Sequence, residues 1–202
     1  MALLGCAPQG SVRLAREPAT GLTAVVAPPG FPQGFANVDA RAQGLTFPLP
    51  DGVGWRRDGR EQHSWVAEHA ITRSRLVLRA WQHDAVARPE DCERQARLWR
   101  ADLPEVDAAD VVETKRQTLA GVYEANVTVG VRAEAAGADG IEGYALAVGS
   151  AARACLLMLF TTTASGPGAT RMVAERLGVM LGSVFARARR SSIAERVSVP
   201  RT

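Results

Sequence analysis

Apolar and polar residues alternate along most of this chain in two different periods, and the periods predict its elements. Leu45-Thr46-Phe47-Pro48-Leu49-Pro50 alternates every second residue, the mark of a strand with one buried face, and breaks at Asp51-Gly52. Its prolines suit only a sheet edge. Residues 64–72 and 75–82 predict a hairpin around Thr72-Arg73-Ser74. In its second strand Leu76, Leu78 and Ala80 share one face, and Val77, Arg79 and Trp81 the other. Pro89-Glu90-Asp91 then opens a helix, because proline fits a first turn and acids there complement the helix dipole. Cys92, Ala96 and Trp99 give this helix an apolar stripe, and Pro104 stops it after about residue 103.

Four more strands are predicted at 111–119, 121–133, 141–150 and 153–163. The first is polar over much of its length. The second places Val127, Val129 and Val131 on one face. The last is the most apolar and is expected to be buried on both sides. Ser165-Gly166-Pro167-Gly168 reads as a capped turn into a helix over 169–188. Met172, Val173, Leu177, Met180, Leu181, Val184 and Phe185 form its buried face, and Arg187, Arg189 and Arg190 lie at its end. Residues 193–197 are expected to add a strand or to cover an edge. The order β, ββ, α, ββββ, α defines an α+β fold, a largely antiparallel sheet packed with two helices.

That order resembles the Mog1/PsbP-like fold, a group that includes bacterial lipoproteins and small secretion-associated proteins. The phrase Phe47-Pro48-Leu49-Pro50-Asp51-Gly52-Val53-Gly54-Trp55 is similar to an F-x-x-P-x-G-W opening common there, with an extra Val-Gly before the tryptophan. The resemblance covers about residues 45–197. It implies a non-enzymatic role in binding, chaperoning or complex assembly.

The first residues carry a second resemblance. Leu3-Leu4-Gly5-Cys6 resembles the lipobox of bacterial lipoproteins, with Leu3 at −3, Gly5 at −1 and Cys6 as the acylated residue. A working signal needs a basic start and a longer apolar stretch, so this reading expects the coding frame to open upstream of Met1. Residues 7–43 are rich in Pro, Gly and Ala and show no sustained period, which suits a flexible tether. The division expected is therefore 1–6 as signal remnant, 7–43 as tether, 44–197 as one binding domain and 198–202 as tail. The alternative is a frayed terminus with a chance cysteine. With Cys6 acylated, Cys92 and Cys155 remain as an even pair. They form a disulfide if the first helix lies on the last strand; otherwise they are buried thiols.

Composition narrows the function further. Of 202 residues 47% are hydrophobic and 22% charged, with a net charge of +3, which is ordinary for one globular domain. No apolar run reaches the roughly 20 residues a membrane-spanning helix needs. Acids and bases intermingle and aromatics are few, so nucleic acid is not an expected partner. His63 and His83 face each other if the hairpin turns near Arg73, but no further ligand joins them, and the histidines are expected at exposed strand ends. The Ser165 turn lacks G-x-S-x-G spacing, and no phosphate loop is present. Glu90-Asp91-Glu93 and the pair Glu134 and Asp139 read as helix-start and loop charges. Asn126-Val127-Thr128 fits a glycosylation sequon but lies mid-strand. No catalytic residue, metal site or cofactor is expected.

Trp65 and Trp81, on paired strands, are the candidate partner-binding residues, since tryptophan is enriched at binding hot spots. The expected protein is a membrane-anchored lipoprotein of the bacterial cell envelope, periplasmic or on the outer surface, that binds an unidentified protein partner. The alternatives are a cytoplasmic adaptor or secretion chaperone of the same fold, and a small-ligand carrier or enzyme using a pocket between sheet and helix.

Overall fold

A computed structural model describes residues 30–32, 34–105, 109–133 and 140–191. Two antiparallel sheets carry the architecture. Strand β1 (Phe35–Ala40) pairs with β2 (Leu45–Pro50), and β10 (Arg189–Arg190) pairs along the other side of β2. A 3-10 turn, Arg41–Gln43, joins β1 to β2. It ends on Gly44 at φ 63°, a left-handed position that glycine adopts without strain.

The large sheet contains β3 (Trp55–Asp58), β4 (Trp65–His69), β5 (Ser74–Gln82), β6 (Val111–Leu119), β7 (Tyr123–Ala133), β8 (Gly140–Ala151) and β9 (Ala154–Ser165). Their spatial order is β3-β4-β5-β9-β8-β7-β6, every neighbour antiparallel. After β5 the chain crosses the sheet through helix α1 (Pro89–Trp99) and resumes at the far edge. It then meanders back until β9 closes against β5. Helix α2 (Ala169–Met180), continued by a π-helical turn Leu181–Phe185, follows.

The period-two patterns explain where the cores lie. Leu156, Met158 and Phe160 of β9 face one side with Leu76, Leu78, Val127 and Ala145, under α2 and the small sheet. Cys155, Leu157 and Leu159 face the other side with Val66, Val77, Leu146 and Val148, under Cys92 and Ala96 of α1. A strand central to the sheet and covered on both faces has no position for water, hence its unbroken apolar run. Of the predicted buried face of α2, Val173, Leu177, Met180, Val184 and Phe185 are each 4% exposed or less, and Met172 and Leu181 are partly buried against the same core.

Several boundaries differ from the sequence reading. Residues 35–40 belong to β1, not to a tether, because their backbone pairs residue for residue with β2. Helix α1 ends at Trp99, short of 103. Arg100 leaves helical geometry at φ −137°, and its guanidinium holds Glu61 and Asp102, each at 2.9 Å. Gly168, at φ 83°, opens α2 without a side-chain cap. The short strand pairing with β2 is Arg189–Arg190; residues 193–197 lie outside the described residues. So do Cys6, the first 29 residues, Glu134 and Asp139.

Candidate functional site

The hairpin β4–β5 brings polar groups into the core. On β4 the side chains of Trp65, Ala67 and His69 alternate inward, and His69 is fully buried. This overturns the expectation of an exposed strand-end position for His69, whereas His63 is exposed and His83 half-buried. The His69 Nε2 lies 2.8 Å from Asp51 Oδ2. Its Nδ1 receives the Thr72 backbone N–H at 3.2 Å and lies 2.8 Å from Thr72 Oγ1. A backbone N–H can only donate, so Nδ1 is the acceptor nitrogen. The ring hydrogen therefore sits on Nε2 and is given to Asp51.

The chain of bonds continues. Thr72 Oγ1 lies 2.8 Å from Ser74 Oγ, which donates to Thr162 Oγ1 at 2.9 Å. Arg176 Nη1 donates to the Thr72 and Thr163 carbonyls at 2.9 and 3.0 Å. Burial pushes the Arg176 guanidinium below its usual range, with Arg73 adding to the shift. Asp51 adopts the left-handed region at φ 46° to aim its carboxylate inward. A Cβ at Gly54 would collide with the His69 ring and the Asp51 carboxylate, so only glycine lets the loop lie this close. The order carboxylate, imidazole, hydroxyl is that of a nucleophile relay. Here His69 and Thr72 have no exposed surface, so the hydroxyl has no path to a substrate in this conformation.

Trp65 and Trp81 do not form one patch. Trp65 pairs with Leu78, so Trp81, three residues further, points to the opposite face. Trp65 is buried edge-on against Phe47, with centroids 5.3 Å apart, and is part of the core under the small sheet. Trp81 is half-buried on the α1 side. It meets Trp99 at 5.5 Å in a T-shape and donates its indole N–H to Gln95 Oε1 at 2.8 Å. The Arg79 guanidinium stands 3.7 Å over the Trp99 ring. Burial lowers its pKa, with the nearby Glu61 carboxylate opposing the shift and Arg100 adding to it. Among the described residues Arg79 forms no ion pair. Glu61, Arg75, Arg100 and Asp102 form an ion network beside it, with contacts of 2.9–3.5 Å, and Glu61 and Arg100 act on Arg79 through space. The sequence places Arg79 on one face with Trp81 but does not single it out as a binding residue. The missing signal was the placement of Trp99 on a helix crossing that face.

The remaining sequence candidates sort readily. His63 and His83 are not opposite each other, because β4 and β5 turn at 70–73 and pair Trp65 with Leu78. Cys92 and Cys155 form a disulfide with Cα atoms 5.6 Å apart, fastening α1 to β9. Among the described residues no group of three or more His, Cys, Asp or Glu side chains is placed to hold a metal. None of their helices is long and apolar enough to cross a membrane. An open cleft of about 230 Å³ lies at one end of the sheet, lined by Gln43, Gln82, Tyr123 and Arg190 among others.

These observations define an α+β domain with a two-sided core, a closed polar network and a tryptophan–arginine surface. No family profile and no curated protein matches the chain. Solved structures with a similar chain path include a protein from Bacteroides thetaiotaomicron, at 10% identity and TM-score 0.44, covering 80% of this chain and 50% of that one. The similarity thus spans half the length of that protein. The Ran-binding protein Mog1p of Saccharomyces cerevisiae aligns at 8% identity and TM-score 0.48, covering 81% of this chain and 98% of Mog1p. LpqN of Mycobacterium tuberculosis, involved in cell envelope biogenesis, aligns at 12% identity and TM-score 0.43, covering 78% and 91%. Likeness of this degree assigns no role to any residue.

Proposed function

We propose that this chain is a non-enzymatic envelope lipoprotein: Cys6 carries the lipid, a tether follows, and the domain presents a protein-binding surface on its α1 side. The observation that carries the binding role is the cluster of Arg79, Trp81 and Trp99. Tryptophan and arginine are the residue types that dominate binding energy at interfaces. Here a half-buried guanidinium rests on an indole with no ion-pair partner among the described residues. Such a cation is suited to a carboxylate offered by a partner, where burial strengthens the pair. The enclosed Thr72 hydroxyl favours binding over catalysis, and the Cys92–Cys155 disulfide favours an oxidising compartment.

Two measurements test the reading. Mass spectrometry of the membrane fraction is expected to find Cys6 acylated; an unmodified Cys6 in a cytosolic fraction sinks the anchor. Cross-linking in cells is expected to capture a partner whose affinity falls about thirtyfold or more in Arg79→Ala or Trp99→Ala. Leu98→Ala, on the exposed side of α1, serves as control. Equal capture by all three variants removes the assigned surface.

A further inference from the structure

We infer that the cleft where the two sheets part is a binding site for a small organic monocarboxylate. The cleft has a volume of about 230 Å³. Its roof is the turn Gln43-Gly44 together with β10, and its floor is formed by the ends of β5, β7 and β9. Gln43 fixes the roof to the floor: its Oε1 accepts the Ala80 N–H at 2.6 Å and its Nε2 donates to the His63 carbonyl at 3.3 Å.

The register of the strands aims two polar side chains into this gap. Residues opposite each other on paired strands share a face. Arg190 is opposite Leu45, which lies in the core at 1% exposure, so Arg190 faces the large sheet. Its backbone is held there by β2 and by the Ser191 N–H, which donates to the Gly44 carbonyl at 2.8 Å. Tyr123 opens β7 on the side of Ala125 and Val127, which line the same core from the opposite sheet. Gln82 follows Leu78 and Ala80 on that side of β5 and adds an exposed amide.

Neither aimed group has a partner. Tyr123 is 8% exposed, yet among the described residues its hydroxyl forms no hydrogen bond, and it opens into the cleft. Buried polar side chains are nearly always bonded. Arg190 forms no ion pair among the described residues, and it is the one charged side chain of theirs that lines the cleft. Burial raises the Tyr123 pKa, with Arg190 opposing, so the phenol keeps its proton at neutral pH and can donate. A guanidinium and a phenol O–H are together a donor set for a carboxylate, which accepts two parallel bonds from the guanidinium and has lone pairs left for the hydroxyl. One cation balances a single negative charge, which favours a monocarboxylate over a phosphate dianion. Ala80, Ala154 and Gly44 bring no polar side chain, so the floor suits a short apolar body. Drug-sized ligands need about 300–1,000 Å³, so the space here limits the ligand to roughly ten non-hydrogen atoms.

The site is on the face away from the Arg79 and Trp99 surface, and its test depends neither on that surface nor on the anchor. Isotope-labelled full-length chain is titrated with N-acetylalanine and followed by amide NMR shifts. Saturable shifts centred on Gly44, Gln82 and Arg190 are expected in the millimolar range. The neutral isostere N-acetylalaninamide and inorganic phosphate are each expected to bind at least tenfold more weakly. Arg190→Gln is expected to weaken N-acetylalanine at least tenfold and Tyr123→Phe about threefold to tenfold, while Arg116→Gln on the distant edge strand β6 leaves it unchanged. Tyr123→Phe removes only a hydroxyl without a protein partner, and near-ultraviolet circular dichroism verifies the fold of each variant. The assignment is overturned if no shift saturates, if the amide or phosphate binds as well as the acid, or if Arg190→Gln binds normally. Tenfold tighter binding of a pentaalanine acid overturns it too, by showing that the cleft takes the end of a polypeptide.

Discussion

His69 is a charged-type residue placed where the pattern of β4 demands an apolar one, and its burial is complete because every ring atom capable of hydrogen bonding is used. The parity of Trp65, Ala67 and His69 was visible in the sequence. Its partner Asp51 was not, since it lies across a loop whose left-handed turn no period announces. Replacing His69 by Ala strands the buried Asp51 carboxylate and the Thr72 N–H, each costing about 1–3 kcal/mol. Urea unfolding is expected to show a loss of about 3 kcal/mol for His69→Ala and near none for the exposed His63→Ala. Tyr123 offers a pH test. Burial raises its phenol pKa, with Arg190 opposing. A raised folded-state value means the unfolded chain loses this proton first. Stability from Tyr123 is thus full below pH about 10 and falls as pH rises through the folded-state value. Tyr123→Phe is expected to flatten that alkaline decline in thermal melts from pH 9 upward.

Among the elements, the two helices and the central hairpin were the most legible, because each has a long amphipathic period or a marked turn. Strand β1 was hidden by composition: Phe35–Ala40 alternates only weakly and is half exposed, so its pairing with β2 decides its state. The end of α1 was hidden because Arg100, where the helix stops, is held by Glu61 from 39 residues away as well as by neighbouring Asp102. The disulfide was legible only as an alternative, since its distance depends on where α1 crosses β9. It closes a sequence separation of 63 residues. Chain entropy values such a loop at roughly 4 kcal/mol. Cys92→Ala with Cys155→Ala is expected to lower unfolding stability by 2–4 kcal/mol, about the range for such bonds. Reductant is expected to lower the melting temperature of the wild type and leave the double variant unmoved.

For the whole molecule, the alternation of apolar residues set the layers, with β9 flanked by α1 on one face and α2 with the small sheet on the other. The candidate sites were less legible, because each is assembled from distant segments. Arg79 meets Trp99 only through the crossing of α1, and Asp51 meets His69 only through a loop folded beneath Gly54.

The place of β9 carries one more consequence. It is the last strand of the large sheet to leave the ribosome, yet it stands in the middle of that sheet, between β5 and β8. Until residues 154–165 exist, β3–β5 and β6–β8 are two fragments with exposed inner edges and no shared core, and Cys92 has no partner. Because β5 and β9 are far apart in sequence, their pairing is also entropically slow. Translation therefore delivers most of this polypeptide in an unfinished state, which is the condition in which a chain can still be threaded through a narrow pore.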